Sequence, residues 1–86
     1  MYLAARSQSK ATAAIEKIKA INSVAQVEYL PMDLAHLQSV REAAAHILHR
    51  EKVIDILVCN AGVITPETEL TDGGIEMDFQ VNYLGI

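Results

Sequence analysis

The chain has 86 residues, 51% of them hydrophobic and 21% charged, with a formal net charge of -4 and one cysteine. That composition excludes a disordered chain, and the length allows one small domain burying only about 60% of its unfolded surface. The acidic balance, with no basic stripe, argues against a nucleic-acid surface, and the single thiol excludes an internal disulfide and fits a reducing compartment.

No apolar stretch approaches the roughly 20 residues of a membrane helix. Met1-Tyr2-Leu3-Ala4-Ala5 meets Arg6 before a signal-peptide core develops, so the expected location is the cytosol or the cytoplasmic side of a membrane. Charge is unevenly spread: Arg6, Lys10, Lys17 and Lys19 outweigh Glu16 and Glu28 in the first thirty residues, and the remainder is acidic.

In chain order, Met1 to Ala5 reads as the end of a strand. Ser7 or Ser9 can cap the helix that follows, whose apolar positions Ala11, Ala14, Ile15, Ile18 and Ile21 keep helical spacing until Asn22-Ser23 closes it. Gln26 to Leu30 reads as a second strand, stopped by Pro31, which cannot donate to a ladder. A second helix carries Leu37, Val40, Ala44, Ile47 and Leu48 on one face, with Arg41, Glu42, His49 and Arg50 largely off it. His36 stands before it, where Ser or Thr would be the better cap. His46 and His49 lie three apart on this helix, but no Cys, Asp or third His completes a ligand set, so they read as solvated and no metal is expected.

Ile54-Asp55-Ile56-Leu57-Val58-Cys59 is apolar at every position but one, the pattern of a strand covered on both faces. Cys59 then reads as a small buried hydrophobe. Asn60-Ala61-Gly62 ends the run with residues small enough for a ligand to lie on the backbone. Ligands of open α/β sheets bind beyond the carboxyl ends of the strands, so this turn is the expected place for chemistry. Thr65 to Asp72 reads as a polar loop, and from Gly74 a third helix carries Ile75, Phe79, Asn82, Tyr83 and Ile86 on one side. Strands alternating with helices imply βαβ units and a parallel sheet, an α/β fold without repeats or a second domain.

Four segments, Ala4-Ala5-Arg6-Ser7, Met32-Asp33-Leu34, the run ending Cys59-Asn60-Ala61-Gly62, and Val81-Asn82-Tyr83-Leu84-Gly85, occur in an order and spacing that resembles the short-chain dehydrogenase/reductase family, most of all its retinol-dehydrogenase-like members. The resemblance covers essentially the whole chain. It implies a partial Rossmann-like doubly wound parallel sheet of three strands and three helices, with residues 1–86 the middle portion of an NAD(P)-binding domain whose first strand is absent. In a strand order 3-2-1-4-5-6 that strand would separate the one ending at Arg6 from the one ending at Cys59.

The resemblance also implies roles. Arg6 would contact the 2′-phosphate of NADP(H), where an NAD site usually places an acidic residue for the ribose hydroxyl; Ser7 and Lys10 would assist as a hydroxyl donor and a nearby charge. Read from the residues alone, Arg6 is a solvated residue starting a helix, since exposed Arg is the norm. Asp33 would accept from the adenine amino group beside Leu34, and read alone it is a turn or cap residue; both roles can coexist. Asn60, Ala61 and Gly62 would pack on the adenine ribose, with Cys59 where many members have another Asn. Asn82 would hold a water in the proton relay behind the catalytic Tyr and Lys; on spacing alone it is a polar residue on an apolar face that needs a buried partner.

The family's glycine loop and its Ser and Tyr-x-x-x-Lys lie outside these motifs, and Tyr2, Tyr29 and Tyr83 have no Lys four residues on. The expected function is therefore a fragment of an NADP(H)-dependent oxidoreductase moving hydride between the nicotinamide and an alcohol or carbonyl, of retinoid, steroid or other lipid type, inactive as the isolated chain and homo-oligomeric in its parent. Two alternatives stand beside it: an interaction fragment pairing its open sheet edges with a full-length relative, and a nucleotide-binding module without redox chemistry.

Overall fold

The computed structural model describes residues 1–86, which form two compact units, Met1–Met32 and Asp33–Ile86. The class is α/β, as predicted, with one two-stranded parallel sheet.

The first unit is a βαβ element: β1 (Tyr2–Ala5), α1 (Gln8–Ile21) and β2 (Glu28–Pro31). The strands pair in parallel, Tyr2 opposite Glu28 through Ala5 opposite Pro31. Pro31 has no N–H to give, so the ladder passes it and Met32 N donates to Ala5 O at 3.1 Å. At the other end the N-terminal amine donates to Gln26 O at 2.9 Å, which aligns the strand starts. Ser7 is the N-cap of α1, its Oγ accepting from Lys10 N at 3.4 Å. Asn22 ends the helix: its own N–H reaches Ile18 O, and its Oδ1 accepts from Val24 N, the turn geometry Asn favours. The helix lies against both strands. Of its predicted apolar face, Ala11 is buried and Ala14, Ile15 and Ile18 are half-buried, but Ile21, in the last turn, is exposed.

The second unit contains α2 (Leu37–Arg50) and α3 (Met77–Phe79), which runs on into a π-helical turn (Gln80–Leu84). His36 is the N-cap of α2 and makes no side-chain capping bond, the weak cap its residue type predicts. The start of the helix is secured just upstream instead: Ser39 Oγ accepts from Asp33 N at 2.9 Å, and Asp33 accepts from Ala35 N through Oδ1 and from His36 N through its carbonyl. The inward stripe of α2 is Leu37, Val40, Ala43 and Ile47, so Ala44 and Leu48, predicted on the core face, point to solvent. Between the helices, Thr71 to Ile75 closes a tight hairpin: Gly74 N donates to Thr71 O, Thr71 N to Ile75 O, and Gly74 takes φ +77°, open to glycine at little cost.

Two expectations fail here. The predicted third strand, Ile54 to Cys59, joins no sheet: every residue from 51 to 62 is exposed, Ile56 81% so, and Cys59 is exposed rather than buried. A run becomes a strand only when its N–H and C=O groups pair with a neighbouring strand, and the sheet holds β1 and β2 alone. The predicted face of the third helix is the other correction. Phe79, Asn82, Tyr83 and Ile86 do share a side, Phe79 and Tyr83 stacking at 5.2 Å, but it is the solvent side; Gln80, Val81 and Gly85 are the buried ones.

An exposed, uncharged extended run promotes association. In residues 1–86, the double substitution Ile56→Lys and Val58→Lys is expected to lower dye binding to exposed apolar surface and self-association in size-exclusion chromatography, with an unchanged far-ultraviolet circular dichroism spectrum, because neither side chain is packed.

Candidate functional site

The predicted site residues fall in three places. Arg6, Ser7 and Lys10 lie together where β1 turns into α1. Arg6 and Lys10 are exposed and enter neither of the salt bridges, both of which involve His36. The Ser7 hydroxyl is already engaged, capping α1 and lying 3.2 Å from Ser9 Oγ. A free guanidinium beside a helix N-terminus is a suitable acceptor site for a phosphate, since both the charge and the unpaired first-turn N–H groups favour an anion.

In the second unit, Asp33 and Leu34 lead into α2. The Asp33 side chain is one-third exposed; Oδ1 is taken by Ala35 N at 2.9 Å, while Oδ2 lies 3.7 Å from His36 Nε2. His36 Nδ1 in turn lies 3.6 Å from Asp72 Oδ2. The capping role of Asp33 thus uses Oδ1, and Oδ2 faces the His36 ring. Leu34 is buried.

Asn60, Ala61 and Gly62 are exposed, and their conformation depends on what holds the residues after them. Asn82 donates from Nδ2 to Val63 O and accepts at Oδ1 from Val63 N, both at 2.8 Å, so a side-chain amide takes the place of a neighbouring strand. One turn earlier on the same helix, Asp78 accepts from Thr65 N through both oxygens and from Thr65 Oγ1 at 3.0 Å. Residues four apart on a helix are separated by about 6 Å and residues two apart on an extended chain by about 6.7 Å, so Asp78 and Asn82 match Thr65 and Val63 in register. Gly62 sits beside this clamp: a Cβ there would meet Asn82 Oδ1 at 3.6 Å, ordinary contact. Sequence reasoning found Asn82 and Gly62 but expected a buried partner for Asn82; its partner is exposed backbone. It missed Asp78, whose Glu76-x-Asp78 context reads as a helix start, the role Glu76 fills by accepting from Asp78 N and Phe79 N.

It also missed Gln80, 2% exposed and the most enclosed polar side chain in the second unit. Its Nε2 donates to Leu34 O at 3.4 Å and to Ala35 O, and its Oε1 accepts from the buried Thr71 hydroxyl at 2.7 Å. Gly85 N closes the π turn on Gln80 O at 2.7 Å. Nothing in its apolar-polar pattern distinguishes Gln80 from a surface glutamine. No three His, Cys, Asp or Glu side chains are grouped to hold a metal ion, and no helix is long and apolar enough to cross a membrane.

The parallel βαβ element followed by helices places the chain in the α/β class. The particular family is set by comparison: the short chain dehydrogenase model matches residues 1–86, and the chain belongs to that family. It is 43% identical over 85 residues to a WW domain-containing oxidoreductase of Danio rerio, covering 99% of this chain and 21% of the relative. It is 44% identical over 86 residues to a short-chain dehydrogenase/reductase of Armillaria gallica (99% and 28%) and 42% identical over 85 residues to retinol dehydrogenase 13 of Homo sapiens (99% and 26%). The chain therefore spans between a fifth and under a third of the length of these curated relatives. No solved structure gives a significant match.

Replacing Asn82 with Ala removes both bonds to Val63, at roughly 0.5–1.5 kcal/mol each and toward the low end for exposed groups. The expected result is faster amide hydrogen exchange at Val63, with the Thr65 amide, held by Asp78, much less affected; uniform acceleration of both would show that the two clamps are not independent.

Proposed function

We propose that residues 1–86 are the middle portion of the Rossmann domain of an NADP(H)-dependent oxidoreductase, which moves hydride between the nicotinamide and an alcohol or carbonyl carbon. The family match over the whole chain carries the oxidoreductase class; the exposed Arg6 guanidinium carries the preference for NADP(H).

The residues present suit such a cofactor. Arg6 would hold the 2′-phosphate, with the Lys10 ammonium nearby and Ser7 orienting the first turn of α1. The Oδ2 of Asp33, which stands 3.7 Å from His36 Nε2, would accept from the adenine amino group with Leu34 alongside, and Asn60, Ala61 and Gly62, small and exposed, leave their backbone open to the adenine ribose. When bound, the cofactor supplies or takes up the hydride. Asn82 would fix the loop after Gly62 and keep one Nδ2 hydrogen and one Oδ1 lone pair for a relay water. No Tyr-x-x-x-Lys occurs in these residues to protonate a carbonyl oxygen, so the segment alone would be inactive. A retinoid, steroid or other lipid-like carbonyl is the proposed substrate class, from the likeness to a retinol dehydrogenase; a cytosolic or cytoplasmic-face location and a homo-oligomeric parent belong to the same reading.

A second reading rests on one observation. The exposed Ile54 to Cys59 run has an unpaired backbone that would add to the sheet of a full-length relative, making the segment an interaction partner without catalysis.

In a polypeptide that carries this segment and reduces carbonyls, Arg6→Ala is expected to weaken NADPH binding by roughly ten- to a hundredfold, the scale of charge-assisted hydrogen bonds, and to change NADH binding little. Equal losses for both nucleotides would remove the NADP(H) assignment and leave the oxidoreductase class standing.

A further inference from the structure

We infer that Gln80 is the positioning residue of the adenine pocket, acting on Asp33 through the Leu34–Ala35 peptide; the inference rests on the reading above that Asp33 and Leu34 receive the adenine. Three observations converge on that single peptide unit. Its carbonyl, Leu34 O, accepts from Gln80 Nε2 at 3.4 Å. Its N–H, on Ala35, donates to Asp33 Oδ1 at 2.9 Å. Gly85, at the far end of the same π turn, lies so close that a Cβ there would stand 2.9 Å from Leu34 O and 3.2 Å from Leu34 Cβ. Carbonyl and N–H of a trans peptide point in opposite directions, so a grip on one side of the plane sets the aim of the other. Gln80 grips the carbonyl and the N–H holds the carboxylate.

The amide orientation of Gln80 follows from proton accounting. The Thr71 hydroxyl accepts from Ile75 N at 3.4 Å and donates its one hydrogen to Gln80 Oε1 at 2.7 Å. The NH₂ end must then face Leu34 O and Ala35 O, which accept and cannot donate. With the carboxamide buried and every partner satisfied, the peptide is held in place before any nucleotide arrives. Asp33 then has Oδ1 committed to the peptide N–H and Oδ2 facing outward, beside His36 Nε2 at 3.7 Å, on a side chain one-third exposed.

The test uses the nucleotide-binding polypeptide that carries this segment and two probes, adenosine 2′,5′-bisphosphate and reduced nicotinamide mononucleotide, which lacks the adenine. Gln80→Met keeps the volume and removes the donor; it is expected to weaken the adenosine probe about three- to tenfold, one neutral hydrogen bond expressed as affinity, and to leave the nicotinamide probe unchanged. Thr71→Val, which removes the bond to Gln80 Oε1 but leaves the Nε2 donor facing Leu34 O, is expected to lower the denaturation midpoint, to weaken the adenosine probe less than Gln80→Met does, and to leave the nicotinamide probe unchanged. Asp33→Ala is measured alongside. If Asp33→Ala weakens the adenosine probe and Gln80→Met does not, the positioning role is overturned and the adenine site stands. If Asp33→Ala is also without effect, the adenine reading falls and the inference with it. Should Gln80→Met not fold, Gly85→Ala crowds the same Leu34 carbonyl and displaces the peptide; wild-type affinity for the adenosine probe in that variant would equally overturn the proposal.

Discussion

A carboxamide enclosed by protein has to find partners for its donors and its acceptor there, because leaving one unpaired costs more than the bond itself contributes. Gln80 meets that demand with the Leu34 and Ala35 carbonyls and the Thr71 hydroxyl, residues up to 46 apart in sequence. Much of the second unit follows from this. The turn that carries Gln80 widens to i→i+5 so that Gly85 also closes on Gln80 O. The hairpin around Gly74 places Thr71 where its hydroxyl is needed, and Leu34 is buried beneath the helix end. The hydrophobic contribution here is small, with only Leu34, Ala43 and Val81 buried among the apolar side chains of this unit, so the polar network takes a larger share of its specificity than in a domain with a deep core.

The same helix solves a second problem by a different route. Residues 63–65 are extended and have no strand beside them, and backbone groups of that kind need partners. Asp78 and Asn82 provide them from successive helical turns, one as an acceptor for an N–H and a hydroxyl, the other as a donor and acceptor pair. Asn60-Ala61-Gly62 are thereby tethered at their C-terminal side only. On their N-terminal side the apolar run remains in water.

The first unit shows how far local chemistry suffices. Ser7 caps, Asn22 ends the helix, and the strands align on Tyr2 and Glu28 with a proline at the exit. Each event involves residues close in sequence or one parallel pairing, and each leaves Arg6 uncommitted at the strand end, where an anion would meet both its charge and the start of α1.

What the residues alone determined is the α/β class, the two strands and the two long helices within a residue or two of their ends, the weak cap at His36, and the family, carried by four short motifs in order. These depend on spacing, capping chemistry and turn preference, which act over a few residues. Tertiary structure decided the rest. Ile54 to Cys59 has the composition of a buried strand and yet stays exposed with Cys59, because a strand is completed by a partner edge that periodicity does not encode. Ala44, Leu48 and the Phe79–Tyr83 side of the last helix carry apolar residues and face solvent, because the buried side of a helix is set by what packs against it; in the last helix a satisfied glutamine and a glycine's close approach to Leu34 outweighed hydrophobicity.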